Sequence, residues 1–316
     1  MRIATWNLEN LFAPGTGDAA PTSETAYQAK LEALATTIAS IGPQVLAVQE
    51  VGPQPALDDL AAAVAAQTDH TWHTAAADPD GRGIRVALLS HGELRDVEQV
   101  RDLPAGIGPV QISDDGEILT GLGRPALKAT VTLDGHDVHV LSVHLKSKLL
   151  TFPDGHFSTS DEDVRVRYGF YALARRAAEA AGVRAYVTRL LEDGGGAVPA
   201  VVVAGDLNDD VQAATTQLLH GPPGSEFETP GFDRPDAGDA QRLWNLAPLI
   251  PEHDRYSRIY RGRRELIDHI LVSAPLTSPK PTVGAGPGAA PSIADDPDAR
   301  RNEPGSDHRP VHAELG

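Results

Sequence analysis

The chain has 316 residues, of which 41% are hydrophobic and 22% charged, an ordinary composition for a globular protein with a sizeable core. Cysteine is absent, which excludes disulfides, zinc–thiolate sites and cysteine nucleophiles. The net charge of −17 argues against a broad basic face for duplex DNA, because nonspecific DNA binding depends on Lys and Arg neutralising phosphates. It does not exclude catalysis on nucleic acid, since acidic residues on a far face leave a usable field at the site.

The start of the sequence shows no targeting signal. Met1 is followed by alternating polar and apolar residues, without the basic and apolar segments of a secretory signal. No run approaches the roughly 18 apolar residues needed to cross a bilayer. We therefore expect a cytoplasmic protein (no signal peptide visible) without a membrane segment, although unconventional export would leave the same pattern.

The first half of the chain alternates predicted strands and helices. Short apolar runs indicate strands, and apolar residues spaced near 3.6 positions indicate helices. Gly42 and Pro43 end the first helix. The predicted elements are a strand at 2–11, a helix at 26–41, a strand at 45–48, a helix at 56–67 and a strand at 84–89.

The second half begins with a predicted hairpin at 127–144. Asp134 and Gly135 supply its type I′ turn, so His144 emerges at a strand end. The other predictions are a helix at 163–193, a strand at 200–204, a helix at 209–220, strands at 266–273 and 309–315, and a long loop at 274–305.

Six short polar motifs stand where apolar runs stop. Each places an acid, an amide or an imidazole at that point, and together they supply the groups that metal-assisted attack on phosphorus needs. The motifs are Thr5-Trp6-Asn7, Val48-Gln49-Glu50, Val143-His144-Leu145-Lys146, Gly205-Asp206-Leu207-Asn208, Ile267-Asp268-His269 and Ser306-Asp307-His308.

This series resembles the endonuclease/exonuclease/phosphatase superfamily, which includes deoxyribonuclease I-like nucleases, abasic-site endonucleases, neutral sphingomyelinases and inositol-polyphosphate 5-phosphatases. The match runs from residues 2–10 to residues 306–311 and so covers nearly the whole chain. The resemblance implies an α/β fold, a four-layer α/β/β/α sandwich in which two mixed β-sheets pack face to face. Because motifs from both halves must converge, we expect a single domain over 1–316.

The expected metal ligands are Asn7, Glu50 and Asp307. Hard oxygen donors without any thiolate point to Mg²⁺ or Mn²⁺. Taken alone, Glu50 could be a helix cap or a loop acid, and Asn7 could form a turn. The resemblance favours metal binding for Glu50 and a metal or phosphate contact for Asn7, whereas Asp307 is a second ligand or a water-positioning carboxylate.

Two further motifs carry the expected catalytic residues Asp206 and Asn208. They lie two positions apart after a buried strand, so both can point into one site. By the resemblance, Asp206 orients or deprotonates the attacking water and Asn208 steadies the pentavalent phosphorus. The alternative for both residues is an Asx turn at a strand end.

Asp268 and His308 are expected to form a pair, although 40 positions separate them. A carboxylate that accepts from one imidazole nitrogen fixes the tautomer and raises the basicity of the other. This arrangement suits His308 for proton transfer or for holding phosphoryl oxygens. His269 follows Asp268 on a strand and points to the opposite face, so we expect a structural role for it.

His144 is the residue that separates branches of the superfamily. The deoxyribonuclease-like and sphingomyelinase-like branches carry a histidine at the end of this strand, where it can protonate the leaving alkoxide; a packed structural histidine is the alternative. Lys146 and Arg85 are expected to contact substrate phosphate, unless they are ordinary surface residues. Arg165 and Arg167 are similar cases.

The sequence therefore predicts a Mg²⁺- or Mn²⁺-dependent phosphodiesterase, a nuclease acting on a nucleic-acid substrate as a monomer. The alternatives are a phosphatase or lipid phosphodiesterase with the same site, and a catalytically inactive binding protein. Cleavage within or from the end of a strand is left open, because substrate choice lies in loops that match no pattern.

Overall fold

Two six-stranded sheets contain the long strands of the part of the chain that the structure describes. The computed structural model describes residues 1–194, 197–229, 234–294, 296 and 299–316. The helices are α1 (Glu24–Ile41), α2 (Gln54–Thr68), α3 (Glu162–Glu192) and α4 (Ala214–His220). The strands are β1 (Arg2–Leu11), β2 (Val45–Val51), β3 (His73–Ala76), β4 (Arg85–Ser90), β5 (Arg95–Asp102), β6 (Val110–Gln111), β7 (Ile118–Leu119), β8 (Gly121–Leu133), β9 (His136–His144), β10 (Ala200–Asp206), β11 (Leu243–Asn245), β12 (Arg258–Tyr260), β13 (Arg263–Glu265), β14 (Asp268–Ser273), β15 (Thr282–Ala285), β16 (Ser292–Ile293) and β17 (Val311–Glu314).

Both large sheets are mixed. The first has the order β15-β17-β1-β2-β4-β3, and the second has the order β11-β14-β10-β9-β8-β5. At the centre of each sheet two strands run parallel, β1 with β2 and β9 with β10. Antiparallel strands flank each pair, so that β17 lies beside β1 and β14 beside β10.

The alternation of side chains along the strands builds four layers. In β1, Ile3 faces the apolar core between the sheets, while Ala4 and Trp6 face the core beneath α1 and α2. In the second sheet, Val203 of β10 packs with Val183 of α3 on the outer face. The predicted four-layer α/β/β/α sandwich is confirmed.

A buried polar bridge joins the two sheets below the ends of their central strands. Gln49 of β2 donates from Nε2 to Thr5 Oγ1 and to Ser142 Oγ of β9, both at 3.2 Å. Ser142 in turn donates to the Val48 carbonyl at 3.2 Å. All three polar side chains are fully buried, so their hydrogen bonds fix how the sheets face each other where the six motifs end.

Two of the predicted elements need correction. The helix predicted at 209–220 begins only at Ala214. Asp209 is instead held outside the helix, because its carboxylate accepts from Thr215 and Arg176. The predicted loop at 274–305 contains β15 and β16, which sequence periodicity misses because each is short and is formed by tertiary pairing. Residues 295, 297 and 298 of that loop lie outside the described residues.

Gly205 sets the register that brings the second-sheet motifs together. It lies opposite Val143 in the parallel β9–β10 pair, which puts Asp206 opposite His144. A Cβ atom at Gly205 would overlap the Val143 carbonyl oxygen, a backbone atom that cannot rotate away.

We therefore expect Gly205→Ala to lower the free energy of unfolding by about 3 kcal/mol, the upper part of the range for overpacking, because the strands must separate to admit the methyl group. Urea unfolding monitored by circular dichroism measures this loss. Gly108→Ala is the matched control, since a Cβ there meets no atom within 4 Å. Equal stability of the two variants would contradict the close packing of β9 on β10.

Candidate active site

Polar side chains from both sheets meet at one edge of the sandwich. From the first sheet come Asn7, where the regular pairing of β1 with β2 stops, and Glu50 near the end of β2. From the second come His144 and Asp206 at the ends of the parallel strands β9 and β10. Asp268 begins the antiparallel strand β14 and pairs directly with Asp206. With His308, which contacts Asp268, the structure brings together residues up to 301 positions apart (7 to 308).

The Asn7 amide links a carboxylate of each sheet. Its Nδ2 donates to Glu50 Oε1 and to Asp206 Oδ2, both at 3.0 Å. Its Oδ1 accepts the backbone N–H of Glu9 at 3.0 Å, which fixes the orientation of the amide. Glu50 adopts a positive φ of 58° and also accepts the Asn10 N–H at 3.1 Å. One amide thus holds two acids that would otherwise repel each other.

Asp206 is fully buried beneath this contact. Its second oxygen accepts the backbone N–H of Asn208 at 2.9 Å. Burial, followed by the nearby charge of Asp268, raises the pKa of Asp206 to about 7. Asn208 adopts a positive φ of 55° and donates from Nδ2 to the Leu145 carbonyl at 3.0 Å, so its side chain is fixed beside the carboxylate.

Asp268 and His308 form the predicted pair. His308 Nδ1 lies 2.6 Å from Asp268 Oδ2, and both side chains are buried. The main chain of His308 is also fixed, because its carbonyl accepts from Trp6 Nε1 at 2.8 Å. Although burial opposes its charge, the neighbouring acids, Asp268 first, raise the pKa of His308 to about 10. At neutral pH this imidazole therefore carries both protons and presents an N–H donor to the site.

The imidazole of His144, in contrast, is neutral. Its Nε2 lies 3.6 Å from Asp206 Oδ2 and 4.0 Å from Glu50 Oε1. Burial, reinforced by the positive charge of Arg124, holds the pKa of His144 well below its usual value. The two active-site imidazoles are thus one neutral and one charged group, which suits them to different tasks.

The donor atoms at this edge fit a hard divalent cation. Asp206, Asp268 and His308 each place one atom so that the three lie within 4.8 Å of one another. The Oδ1 atom of Asp268 is buried without a hydrogen-bond partner among the described residues. The Nδ1 atom of His308 is already bonded to Asp268, so the carboxylates, including the more open Glu50, are the more available donors. Oxygen donors of this kind suit Mg²⁺ or Mn²⁺.

Asp307 lies outside this group, beside a second cluster of charges that sequence reasoning missed. Glu9 accepts from Arg300 Nε at 2.8 Å and from Nη2 at 3.1 Å. Burial and the charge of Asp307 raise the pKa of Glu9 to about 7. Lys30 of α1 is buried and donates to the Gly305 carbonyl at 2.8 Å. A lysine on the apolar face of a predicted helix was the signal for this cluster.

Lys146 and Arg85, the two residues expected to contact substrate phosphate, differ in whether their side chains are already hydrogen-bonded within the protein. The Lys146 ammonium group donates to the Leu149 carbonyl at 2.8 Å and to Ser147, so it is turned into its own loop. Burial, then the charge of Arg175, lowers its pKa to about 8. Arg85 pairs with Val51, one position after Glu50, and is only half-buried. The Lys146 ammonium group is thus already bonded, whereas the Nε atom of Arg85 is buried without a hydrogen-bond partner among the described residues.

Arg124 is a site residue that the sequence did not reveal. Its Nη2 is 2.8 Å from Asp80 Oδ2, and its Nη1 donates to the His144 carbonyl at 3.4 Å. Both partners of the Arg124–Asp80 ion pair are largely buried. The expected structural role of His269 agrees with its contacts, because its Nε2 lies 2.9 Å from the Asp209 carbonyl and its ring is buried.

Residues 4–308 match the model of the endonuclease/exonuclease/phosphatase family, a stretch that includes all six motifs. The chain belongs to this family. Family members are hydrolases that act on phosphoesters, and they generally depend on a divalent metal. No curated protein sequence matches the chain. Among the described residues, no helix has both the length and the apolar character required to traverse a bilayer.

Solved structures of the same fold cover the whole chain. TDP2 from Caenorhabditis elegans is 14% identical with a TM-score of 0.56, over 100% of this chain and 74% of that one. The human Nocturnin catalytic domain is 16% identical with a TM-score of 0.55, over 100% and 94% of the two chains. A 3′-5′ exonuclease from Neisseria meningitidis is 19% identical with a TM-score of 0.54, over 100% and 99%. At these identities the likeness shows the fold of the family.

The charge state of His308 makes stability depend on pH in this family member. A histidine whose folded-state pKa is raised stabilises the fold below its unfolded-state pKa, and this contribution is lost as the pH rises through the folded-state pKa. We expect the metal-free protein to lose stability as the pH rises from 6.5 towards about 10.

Urea unfolding in EDTA at a series of pH values measures this slope. His308→Asn should flatten it, because the neutral amide has no proton to release, whereas the exposed His136→Asn should keep the wild-type profile. Identical slopes for wild type and His308→Asn would show that the imidazole of His308 is not the group responsible.

Proposed function

We propose that this protein is a Mg²⁺- or Mn²⁺-dependent phosphodiesterase that cleaves nucleic acid. The observation that carries the proposal is the contact of Asn7 with Glu50 and with the buried Asp206, beside the Asp268–His308 pair. The carboxylates of this arrangement can bind a metal ion and activate a water molecule. The charged imidazole can donate a hydrogen bond to phosphoryl oxygens. One structural neighbour is named as an exonuclease, which supports a nuclease over other phosphodiesterases.

Asp206 is proposed to activate the attacking water. A pKa of about 7 suits a general base that works near neutral pH. Asn208, fixed by the Leu145 carbonyl, is proposed to steady the phosphorus centre with its remaining amide N–H. The rigid positions of both groups limit the reorganisation needed during attack.

The two imidazoles are proposed to contact different oxygens of the substrate phosphate. His308 carries a positive charge and can hold a phosphoryl oxygen as negative charge develops, while Asp268 keeps its ring oriented. His144 is neutral before substrate binds and can donate one N–H towards the leaving oxygen. Arg85 is proposed to contact a substrate phosphate, and Lys146 can do so only after leaving its loop contacts.

The proposed metal ligands are Glu50 and Asn7, with Asp307 as a more distant carboxylate. Ligation through Asn7 requires its Oδ1 atom to exchange the Glu9 N–H for the cation. A bound Mg²⁺ or Mn²⁺ supplies Lewis-acid stabilisation of a phosphate oxygen. We also propose one domain over 1–316 that acts as a monomer, since residues from both ends of the chain complete the site.

The experiment that tests the proposal is a turnover screen. Purified protein is assayed on plasmid DNA, single-stranded oligonucleotides and RNA with Mg²⁺, with Mn²⁺ and with EDTA. Sphingomyelin and inositol phosphates in parallel assays represent the lipid phosphodiesterase and phosphatase alternatives. Metal-dependent cleavage of a nucleic acid supports the proposal, and turnover confined to a lipid or a monoester would overturn it.

We expect Glu50→Gln to weaken the affinity for Mn²⁺ roughly tenfold or more, because the carboxamide keeps the size of the side chain but loses the charge that attracts a cation. Isothermal titration calorimetry measures this affinity, and the exposed Glu93→Gln is the control. A wild-type affinity in Glu50→Gln would remove Glu50 from the metal site.

We expect His308→Ala and Asp268→Asn each to lower kcat by roughly 10²–10⁴-fold, because proton and charge management typically contribute this much. The double variant should lose little more than either single variant, since residues that act as one unit give non-additive losses. Rates are compared only for variants whose thermal melts show a folded protein. Losses that multiply in the double variant would show two independent roles.

A further inference from the structure

A groove beside the active site is not used by any step proposed above. It lies between the loop that carries Lys148 and Leu150 and the N-terminal half of α3, where Arg165, Leu173 and Arg176 line it. Its volume is about 260 Å³, which is enough for a phosphate group and part of a sugar or base. The groove combines cations with apolar walls.

The inner end of the groove lies next to the loop that carries Asn208. Arg176 is buried and bonds to Asp209 Oδ2 at 3.1 Å and to the Lys146 carbonyl at 3.1 Å. Lys148 Nζ is 3.1 Å from the other oxygen of Asp209. Because Asp209 directly follows Asn208, this end of the groove lies against the loop of the proposed phosphorus-binding amide.

Arg165 at the mouth of the groove is free to change partners. Its Nε donates to Glu162 at 2.6 Å, but the two side chains remain 53% and 68% exposed. Such an exposed ion pair contributes little, so a phosphate can replace the carboxylate. The floor of the groove is open at Gly169, where a Cβ atom would meet no other atom within 4 Å.

An exposed apolar stripe runs along the same half of α3. Val166, Phe170 and Leu173 are 55%, 63% and 48% exposed, and their spacing places them on one face of the helix. Leu173 also lines the groove, so the stripe and the groove share a border. Exposed apolar residues that cluster in this way mark interaction surfaces, and an aromatic ring beside cations is typical of sites for single-stranded nucleic acid.

We propose that the groove and the stripe bind the nucleic-acid strand next to the cleaved phosphate, with a neighbouring phosphate between Lys148 and Arg165 and the bases against Phe170 and Leu173. This inference rests on the proposed nuclease function and names the residues that make a strand a better substrate than a small diester.

The distribution of charge favours a strand over a membrane as the occupant. Asp161, Glu162 and Asp163 begin α3 beside the stripe, and a flat anionic surface laid on Phe170 would be repelled by them. A strand can instead place single phosphates in the concave groove, near the cations and away from those acids. The cationic groove therefore fits a chain of separated charges.

The first test measures binding without cleavage. A fluorescent single-stranded oligonucleotide is titrated with wild-type protein in EDTA, and anisotropy gives the Kd. We expect Arg165→Gln/Phe170→Ser to raise the Kd at least about tenfold, because it removes one phosphate contact and one stacking surface. The matched control is Arg95→Gln/Val97→Ser, which removes a similarly exposed ion pair and an exposed apolar side chain from β5.

The second test separates this site from the reacting centre. The ratio of kcat/KM for the oligonucleotide to that for bis(4-nitrophenyl) phosphate should fall at least tenfold in the groove variant, through KM, and should be unchanged in the β5 control. Equal ratios in wild type and groove variant would overturn the proposal.

Other outcomes are also decisive. No oligonucleotide binding by wild type would overturn the strand site. Two further results would show that the stripe binds something else. In the first, Phe170→Ser abolishes binding to phosphatidylcholine vesicles but leaves the oligonucleotide affinity at the wild-type value. In the second, Phe170→Ser abolishes a dimer seen by sedimentation and again leaves the oligonucleotide affinity unchanged; either result would overturn the strand site. If wild type binds the strand through these residues but cleaves no nucleic acid, the strand site stands and the proposed nuclease function fails.

Discussion

The burial of several acids within contact of one another is the constraint on which the rest of this structure depends. Asp206 and Asp268 are paired across adjacent strands with almost no exposure to solvent. In a low-dielectric setting their repulsion is relieved because His308 carries a positive charge and the Asn7 amide satisfies the outer oxygen of Asp206. The raised pKa of Asp206, about 7, relieves it further, since this acid is partly protonated near neutral pH. The fold supplies these partners from strands far apart in sequence, so the site exists only in the completed sandwich.

Much of this site could be predicted because the sequence pattern indicates where buried strands end. A buried strand such as β10 reads as an unbroken apolar run, and Asp206 marks where it stops. The Asp268–His308 pair and the four layers were likewise predictable from motif order and family resemblance. Charge states were not, because the pKa of His144 depends on burial and on Arg124, a residue without a recognisable motif.

Short edge elements and loop anchors also escaped prediction, for a related reason. β15 has only four residues, and it forms because β17 offers hydrogen-bond partners. Lys146 looked like a free cation, yet its position depends on the carbonyls of Ser147 and Leu149, which only a folded loop supplies. In each case the deciding interaction lies outside the local sequence window.

The position of β17 inside the first sheet has a consequence for how the protein matures. The Met1 ammonium group donates to the Leu315 carbonyl at 2.8 Å, and β17 lies between β1 and β15. His308 precedes that strand by three residues. A nascent chain whose β17 is still inside the ribosome can complete neither this sheet nor the histidine–aspartate pair. Assembly of the candidate site is therefore deferred until β17 has emerged, because the histidine–aspartate pair needs a residue that lies directly before this strand.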